Sequence, residues 1–220
     1  MCIRDRDNAI RPHSVSFFKA LVLDAKNEKP IQSDIKITEV TSNESFYSGT
    51  TSDDGSALIC IPKGDRYGIQ LYSKGYIFIS DYVHIPDSGT ITAPYKATYK
   101  MEKIGDARGK SFILKNIFFE SGSAVLKATS LAEIDAIYRM MKDDATLVIQ
   151  IDGYTDNVGA EKDNLFLSHD RAKAVADVLT KRGISVQNII SKGYGESKPI
   201  ADNETEAGRQ KNRRTEFTIK

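Results

Sequence analysis

Nowhere between residues 15 and 101 do apolar residues recur at helical spacing, whereas two stretches beyond residue 112 carry that period and alternate with strand-like runs. The first part must therefore bury its apolar residues by pairing short strands into sheets and packing the sheets together. The second part must lay helices against a sheet. In the first part VSFFKALVLDA, SDIKITEVTS, ESFYSGTT, SALICIP, RYGIQLYSKG and YIFISDYVHI are rich in Val, Ile, Tyr, Phe and Thr, and ATYKM adds a last strand. Turn clusters at 27–30, 53–55, 62–65, 74–75 and 86–89 separate them. In SDIKIT, Ile35 and Ile37 alternate with Asp34, Lys36 and Thr38, which gives one buried and one wet face. These features predict a small antiparallel β-sandwich over residues 15–101. Residues 1–14 read as a disordered or remnant N-terminus, with the natural protein continuing on this side. Residues 102–111, EKIGDARGKS, read as a linker because they are polar and carry two glycines.

A different domain is expected over residues 112–220. FILKNIFF (112–119) reads as a strand. Ser130 and Glu133 have capping-box spacing ahead of LAEIDAIYRMM, whose Leu131, Ile134, Ile137, Tyr138 and Met141 form one helical stripe. TLVIQIDGY sets Leu147, Ile149 and Ile151 against Val148, Gln150 and Asp152. SHDRAKAVADVLTKRG predicts a second helix with Ser168 as its N-cap, Ala172, Val175, Val178 and Leu179 inward, and Gly183 as its stop. NIISKGYG reads as a strand, a partly helical stretch starts at Glu204, and RRTEFTI (213–219) closes the chain as a strand. The fold class expected is α+β in two domains, an all-β sandwich followed by helices on a mixed sheet.

The balance of 31 basic and 30 acidic residues, net +1, lacks the basic footprint of a nucleic-acid binder. No apolar run approaches the roughly 20 residues of a membrane span. The start MCIRDR has no apolar h-region and is not a secretory signal, which leaves localisation open. Of the two cysteines, Cys60 lies in the apolar run ALICI and reads as a buried thiol, with a Cys2–Cys60 disulfide left open.

Catalytic and metal chemistry find little support. Ser168, His169 and Asp170 are adjacent, but consecutive helical side chains point about 100° apart, so the three do not converge. No nucleophile elbow surrounds Ser168. His13, His84 and His169 are scattered, with no HxxH, HExxH or CxxC spacing. Asp53-Asp54-Gly55 reads as a β-turn rather than a calcium loop. The remaining pair is Asp156, presented after a strand in TDNVG, and Arg171, placed by this reading in the first turn of the second helix. A cation is unfavourable at that end of the macrodipole and needs an anionic partner. That partner is Asp170, Asp156 or a ligand anion, and residue chemistry alone leaves an Asp156–Arg171 salt bridge and a ligand grip both open.

GYTDNVG, DNLFLSHDRAKAV, RGI, SKGYGESKPIADN and GRQKNRRTEFTI, in this order, resemble the C-terminal peptidoglycan-binding domain of the outer membrane protein A family, from about residue 116 to residue 219. NIFFESGSAVL matches that family's opening strand and loop. The resemblance implies a βαβαβ-type layer of helices on a mixed sheet. It implies non-covalent binding of the peptidoglycan stem peptide at diaminopimelate, with Asp156 on the ammonium and Arg171 on the carboxylate. Thr155 and Asn164 match positions that shape the pocket or bond the ligand, Leu167 and Ser168 match the helix start, and Gly122 lies in the opening loop. Arg213 and Arg214 match the NRR motif, one of them facing the ligand. The sequence departs from the family at Tyr154, where His is frequent, at Glu120, where Asp is usual, and at Gly122, where a polar side chain is common, so that loop is expected to contact the ligand by backbone amides. No catalytic residue, metal or cofactor is implied. The resemblance places the chain on the periplasmic side of the envelope, associated with the outer membrane and anchored to the wall.

The first part, V.DAKNEKPIQSDIKI…TSDDGSALICIPKGDRYGIQLYSKGY, resembles the carboxypeptidase regulatory-like, transthyretin-type sandwich. This implies a spacer or a surface for an envelope protein partner.

Overall fold

The computed structural model describes residues 15–40, 45–62, 66–85 and 89–220. The expected N-terminal remnant, Cys2 with its pairing to Cys60, and the turn residues 63–65 and 86–88 lie outside the described residues. The chain divides into two compact units, Met1–Lys103 and Ile104–Lys220. The division falls inside the stretch read as a linker. Within it, Ile77 N donates to Glu102 O in the first unit, and Gly109 N donates to Ile219 O in the second.

In the first unit β1 (Val15–Asp24) pairs antiparallel with β4 (Ser56–Pro62) and parallel with β7 (Tyr95–Met101). The second sheet is antiparallel, in the order β3 (Ser45–Thr50), β2 (Asp34–Glu39), β5 (Arg66–Tyr72), β6 (Ile79–His84). Alternate residues point inward: Phe18, Ala20 and Val22 of β1 and Ile59 and Ile61 of β4 share one core with Ile35 and Ile37 of β2 and Tyr67, Ile69 and Leu71 of β5. The expectation of a wholly antiparallel unit fails at β7. β6 ends in one sheet and β7 begins in the other, on the free side of β1, where the chain direction makes the pair parallel. Cys60 is half-buried rather than core, because the alternation that buries Ile59 and Ile61 turns it to the opposite face of β4.

The second unit is α+β. β8 (Ser111–Leu114), β9 (Ile149–Gly153), β10 (Ile189–Gly193) and β11 (Thr215–Ile219) form a mixed sheet in the order β10-β9-β11-β8. β9 and β10 are parallel and β11 is antiparallel to both its neighbours. The helices are α1 (Leu131–Asp143), α2 (Glu161–Lys181) and α3 (Glu206–Asn212). α2 lies on β9 and β10 and touches α1. Ile134, Ile137, Met140 and Met141 of α1, Val175 and Leu179 of α2, and Ile149, Ile151 and Phe217 of the sheet are buried. Among the described residues no helix is long and apolar enough to cross a membrane.

Several local expectations are corrected. The strand expected at 112–119 stops at Leu114, because Lys115 and Asn116 turn the chain, and Phe119 forms only an isolated bridge with Leu126. The Ser130–Glu133 capping box does not form. Ser130 Oγ instead bonds both the N–H and the carbonyl of Phe118, and Glu133 accepts from Asn116 Nδ2 at 3.1 Å. Leu131 is exposed rather than on the buried stripe of α1, and Asp152, which the alternation sets opposite Ile149 and Ile151, is buried as they are. Gly183, at φ 97°, does end α2, in the left-handed conformation that glycine favours.

Candidate functional site

Where β9 runs out at Gly153, two backbone hydrogen bonds guide the chain onward. Tyr154 N donates to Arg214 O and Thr155 N to Gly195 O, both at 3.0 Å. Asp156 therefore emerges between the continuations of β10 and β11. α2 is seated on these strand ends by direct backbone contact. A Cβ on Gly153 would lie 2.1 Å from Ser168 O, and one on Gly193 would lie 2.3 Å from His169 N. Only glycine lets the helix come this close.

α2 starts earlier than expected. The chain turns at Gly159 (φ 105°), Ala160 is the N-cap in extended conformation, and Glu161 and Asp163 occupy the first turn. Ser168 is thus not a cap, His169 is not a first-turn residue, and Arg171 is well past the positive end of the helix dipole. The macrodipole gives Arg171 no reason to need a partner. Ser168 is fully buried, its Oγ donating to Leu165 O and accepting from Gly195 N, each at 2.8 Å. Asn164, one turn earlier, is also buried. Its amide donates to the carbonyls of Asp156 (3.3 Å) and Val158 (3.2 Å) and to Glu196 Oε2 (2.7 Å). These two polar residues clamp the Asp156 and Gly195 loops onto the helix, and Leu167 sits half-buried between them in sequence.

Asp156 is 7% exposed. Its Oδ1 accepts from Val158 N at 3.1 Å and its Oδ2 from Arg213 Nη1 at 2.5 Å. Arg213 spans two carboxylates, its Nη2 reaching Glu206 Oε1 at 2.7 Å. These partners, Glu206 first and then Asp156, hold the Arg213 guanidinium above its ordinary pKa. Arg214 turns elsewhere. Its Nε pairs with Glu216 Oε1 at 2.6 Å and its guanidinium carbon lies 3.7 Å from the Tyr154 ring centroid. Tyr154 stacks in turn on Tyr194, centroids 5.2 Å apart. Of the NRR arginines, Arg213 is the one on Asp156.

Arg171 is half-buried. Its Nε donates to Ser123 O at 3.0 Å and its guanidinium carbon lies 5.1 Å from the Phe119 ring centroid. Among the described residues it makes no ion pair, so the internal Asp156–Arg171 salt bridge is not formed and Asp156 pairs with Arg213 instead. Burial pushes the Arg171 guanidinium below its ordinary pKa, nearby Asp156 opposes this, and Arg213 adds to it. The three charges thus sense one another in a partly dehydrated environment. Thr155 Oγ1 is buried with no hydrogen-bond partner among the described residues. Gly122 is exposed at φ 62° in the turn that Ser123 N closes onto Glu120 O at 3.1 Å. This loop reaches Arg171 through the Ser123 carbonyl.

The arrangement offers one carboxylate, one guanidinium whose two terminal nitrogens have no hydrogen-bond partner among the described residues, and a hydroxyl likewise unsatisfied there. Such a set complements a ligand with separated positive and negative charge. It has no base-oriented nucleophile, and among the described residues no three His, Cys, Asp or Glu side chains gather as metal ligands. Phe119, Ser123 and Glu206 join the site without having been singled out in the sequence. The i, i+3 spacing of Glu206 and Arg209 on α3 was a readable signal for Glu206. A backbone carbonyl such as that of Ser123 leaves none.

The model of the OmpA family matches residues 118–213. The chain is 34% identical over 142 residues to Outer-membrane lipoprotein YfiB of Pseudomonas aeruginosa, covering 60% of this chain and 84% of that protein. It is 35% identical over 104 residues to Probable lipoprotein YiaD of Escherichia coli (47% of this chain, 48% of that one). It is 49% identical over 71 residues to Peptidoglycan-binding protein ArfA of Mycobacterium tuberculosis (32% and 22%). The chain spans 32% of Outer membrane porin F of Pseudomonas fluorescens and about half of YiaD. Among solved structures, the peptidoglycan-associated lipoprotein from Burkholderia pseudomallei aligns with TM-score 0.45 and 27% identity over 47% of this chain and 88% of that one. Through its second unit, the chain belongs to the OmpA family.

Proposed function

We propose that the second unit binds the peptidoglycan stem peptide non-covalently at a diaminopimelate residue and so anchors an outer-membrane-associated protein to the cell wall, without catalysis. Asp156 takes the ammonium, Arg171 takes the carboxylate with its two terminal nitrogens, and Thr155 Oγ1 is within the same loop to bond either group. The observation that carries this reading is Arg171, a half-buried cation with no ion-pair partner among the described residues, in electrostatic contact with Asp156. A guanidinium kept for internal pairing would be expected to form an ion pair with a carboxylate, and among the described residues Arg171 forms none. Charge-assisted hydrogen bonds contribute roughly 1.5–3 kcal/mol each, so two or three support binding near the ~μM scale. A peptide lacking either charge leaves a site residue unpaired, which gives selectivity. The first unit, on this reading, spaces the wall-binding unit or presents a surface to an envelope protein.

Sedimentation with isolated sacculi tests the reading. Wild-type protein is expected to co-sediment, and Asp156→Ala and Arg171→Ala variants with unchanged circular dichroism are expected to stay in solution. Equal sedimentation of all three would overturn the grip on a zwitterion. Release of soluble muropeptides by the purified protein would overturn the non-enzymatic reading.

A further inference from the structure

Arg213 is divided between two acids. One terminal nitrogen lies on Asp156 Oδ2 at 2.5 Å and the other on Glu206 Oε1 at 2.7 Å. The second oxygen of Glu206 is held by Arg209, whose Nη2 and Nε donate to it at 2.9 and 3.0 Å. The result is a chain of alternating charge, Arg209–Glu206–Arg213–Asp156, that sums to zero, and its Arg213 and Asp156 act electrostatically on Arg171, which makes no ion pair among the described residues.

An arginine next to a lone carboxylate closes a two-bond fork on both oxygens. Here it cannot do so while Glu206 keeps its second nitrogen. Asp156 Oδ1 is left with one backbone donor, Val158 N at 3.1 Å, and a carboxylate oxygen has room for another. We infer that Glu206 is a specificity-determining positioning residue: by keeping the second nitrogen of Arg213 off Asp156 Oδ1 it leaves that carboxylate oxygen available to a ligand ammonium. The inference rests on the wall-peptide reading above, and extends it to a residue that need not touch the ligand.

Glu206 acts on only one end of the ligand. With the acid removed, Arg213 closes on Asp156, the site gains one net positive charge, and the ammonium end is weakened. The carboxylate end, on Arg171, is left intact. A merely structural role for Glu206 would weaken every ligand alike.

The test is calorimetric titration with two synthetic tetrapeptides. One carries meso-diaminopimelate at its third position. The other carries 2-aminopimelate there, which keeps the side-chain carboxylate and lacks the amine. Glu206→Gln is expected to bind the first about fivefold more weakly than wild type does, the order expected for one partly exposed charge. It is expected to bind the second as wild type does or better. Glu206→Asp is expected to recover part of the loss, and Glu206→Gln to keep the wild-type melting temperature within about 2 °C, since surface substitutions cost little. An equal change on both peptides, or none on the first, overturns the role of Glu206 while the wall-peptide reading stands. Failure of the wild-type protein to bind the first peptide overturns both.

Discussion

Arg171 Nε donates to the Ser123 carbonyl at 3.0 Å, tying α2 to the loop before α1, while among the described residues neither terminal nitrogen of the guanidinium has a hydrogen-bond partner. Phe119, 5.1 Å from the guanidinium carbon, limits its sway. Lysine at this position keeps the charge but cannot hold a backbone carbonyl and offer a two-pronged fork at once. Arg171→Lys is expected to bind the diaminopimelate tetrapeptide about tenfold more weakly than wild type, and Arg171→Ala about a hundredfold, following the roughly 1.5–3 kcal/mol of a charge-assisted bond. Calorimetry measures both, and a lysine variant as tight as wild type would show that charge alone is used.

Ser168 separates two accounts of its own role. As a helix cap it would tolerate Asn or Asp, which cap equally well. Buried between Leu165 O and Gly195 N it should not. Ser168→Ala leaves Gly195 N buried without an acceptor and is expected to cost about 1–3 kcal/mol in urea denaturation. Ser168→Asn is expected to cost more than Ser168→Ala, because the larger side chain has no room above Gly193, whose missing Cβ would already lie 2.6 Å from the Ser168 hydroxyl. An asparagine variant as stable as wild type would restore the cap.

The misplacement of the start of α2 shows where sequence reading stops. The inward stripe of this helix runs Asn164, Ser168, Ala172, Val175, Leu179, and its first two members are polar. Hydrophobic periodicity therefore detects the helix only from Ala172, and Ser168 then looks like the residue that opens it. What marked the true start was local and polar: Gly159 at positive φ, then Glu161 and Asp163 at the positive end of the dipole. The strand runs and α1 were legible because alternating or helical apolar burial marks them, whereas the order of the strands in the sheets was not. Ser130 and Glu133 have cap spacing, but tertiary partners at Phe118 and Asn116 claim their side chains. Asp156 and Arg171 were legible as charges. Their real partners, Arg213 and the Ser123 carbonyl, depend on chain crossings that no spacing encodes.

Gly153 carries the same packing argument into the sheet. Its Cβ position is 2.1 Å from the backbone oxygen of Ser168, so alanine must push α2 off β9. Gly153→Ala is expected to destabilise by about 2–3 kcal/mol or more, at the upper end of overpacking costs, and to weaken sacculus binding through displacement of Asp156. Gly105→Ala, where a Cβ meets nothing within 4 Å, is the control and is expected to be neutral. Equal urea midpoints for the two variants would count against the close helix–strand contact.

Asp24 links the stability of the first unit to acid. Lys26 N (2.9 Å) and Asn27 N (3.1 Å) donate to its Oδ1, and the Tyr76 hydroxyl donates to Oδ2 at 2.9 Å. Lys103 Nζ lies 3.4 Å from Oδ2. The Lys26 amide is the largest influence, burial opposes it, and Tyr76, Asn27 and Lys103 add to it, so the pKa falls from 3.8 to about 2. A depressed carboxyl favours the folded state when ionised. Its contribution is complete above about pH 4, the unfolded value, and is lost as pH falls through about 2. Asp24→Asn removes that contribution. The stability gap between wild type and Asp24→Asn is therefore expected to be constant from pH 7 to 5 and to narrow progressively below pH 4. Urea midpoints taken at unit pH intervals, reading the first unit's transition, measure it. Tyr76→Phe, which deletes one donor and leaves the two amides, is expected to shift the narrowing to higher pH. A gap that does not change down to pH 2 would mean that the Asp24 hydrogen bonds act without regard to its charge.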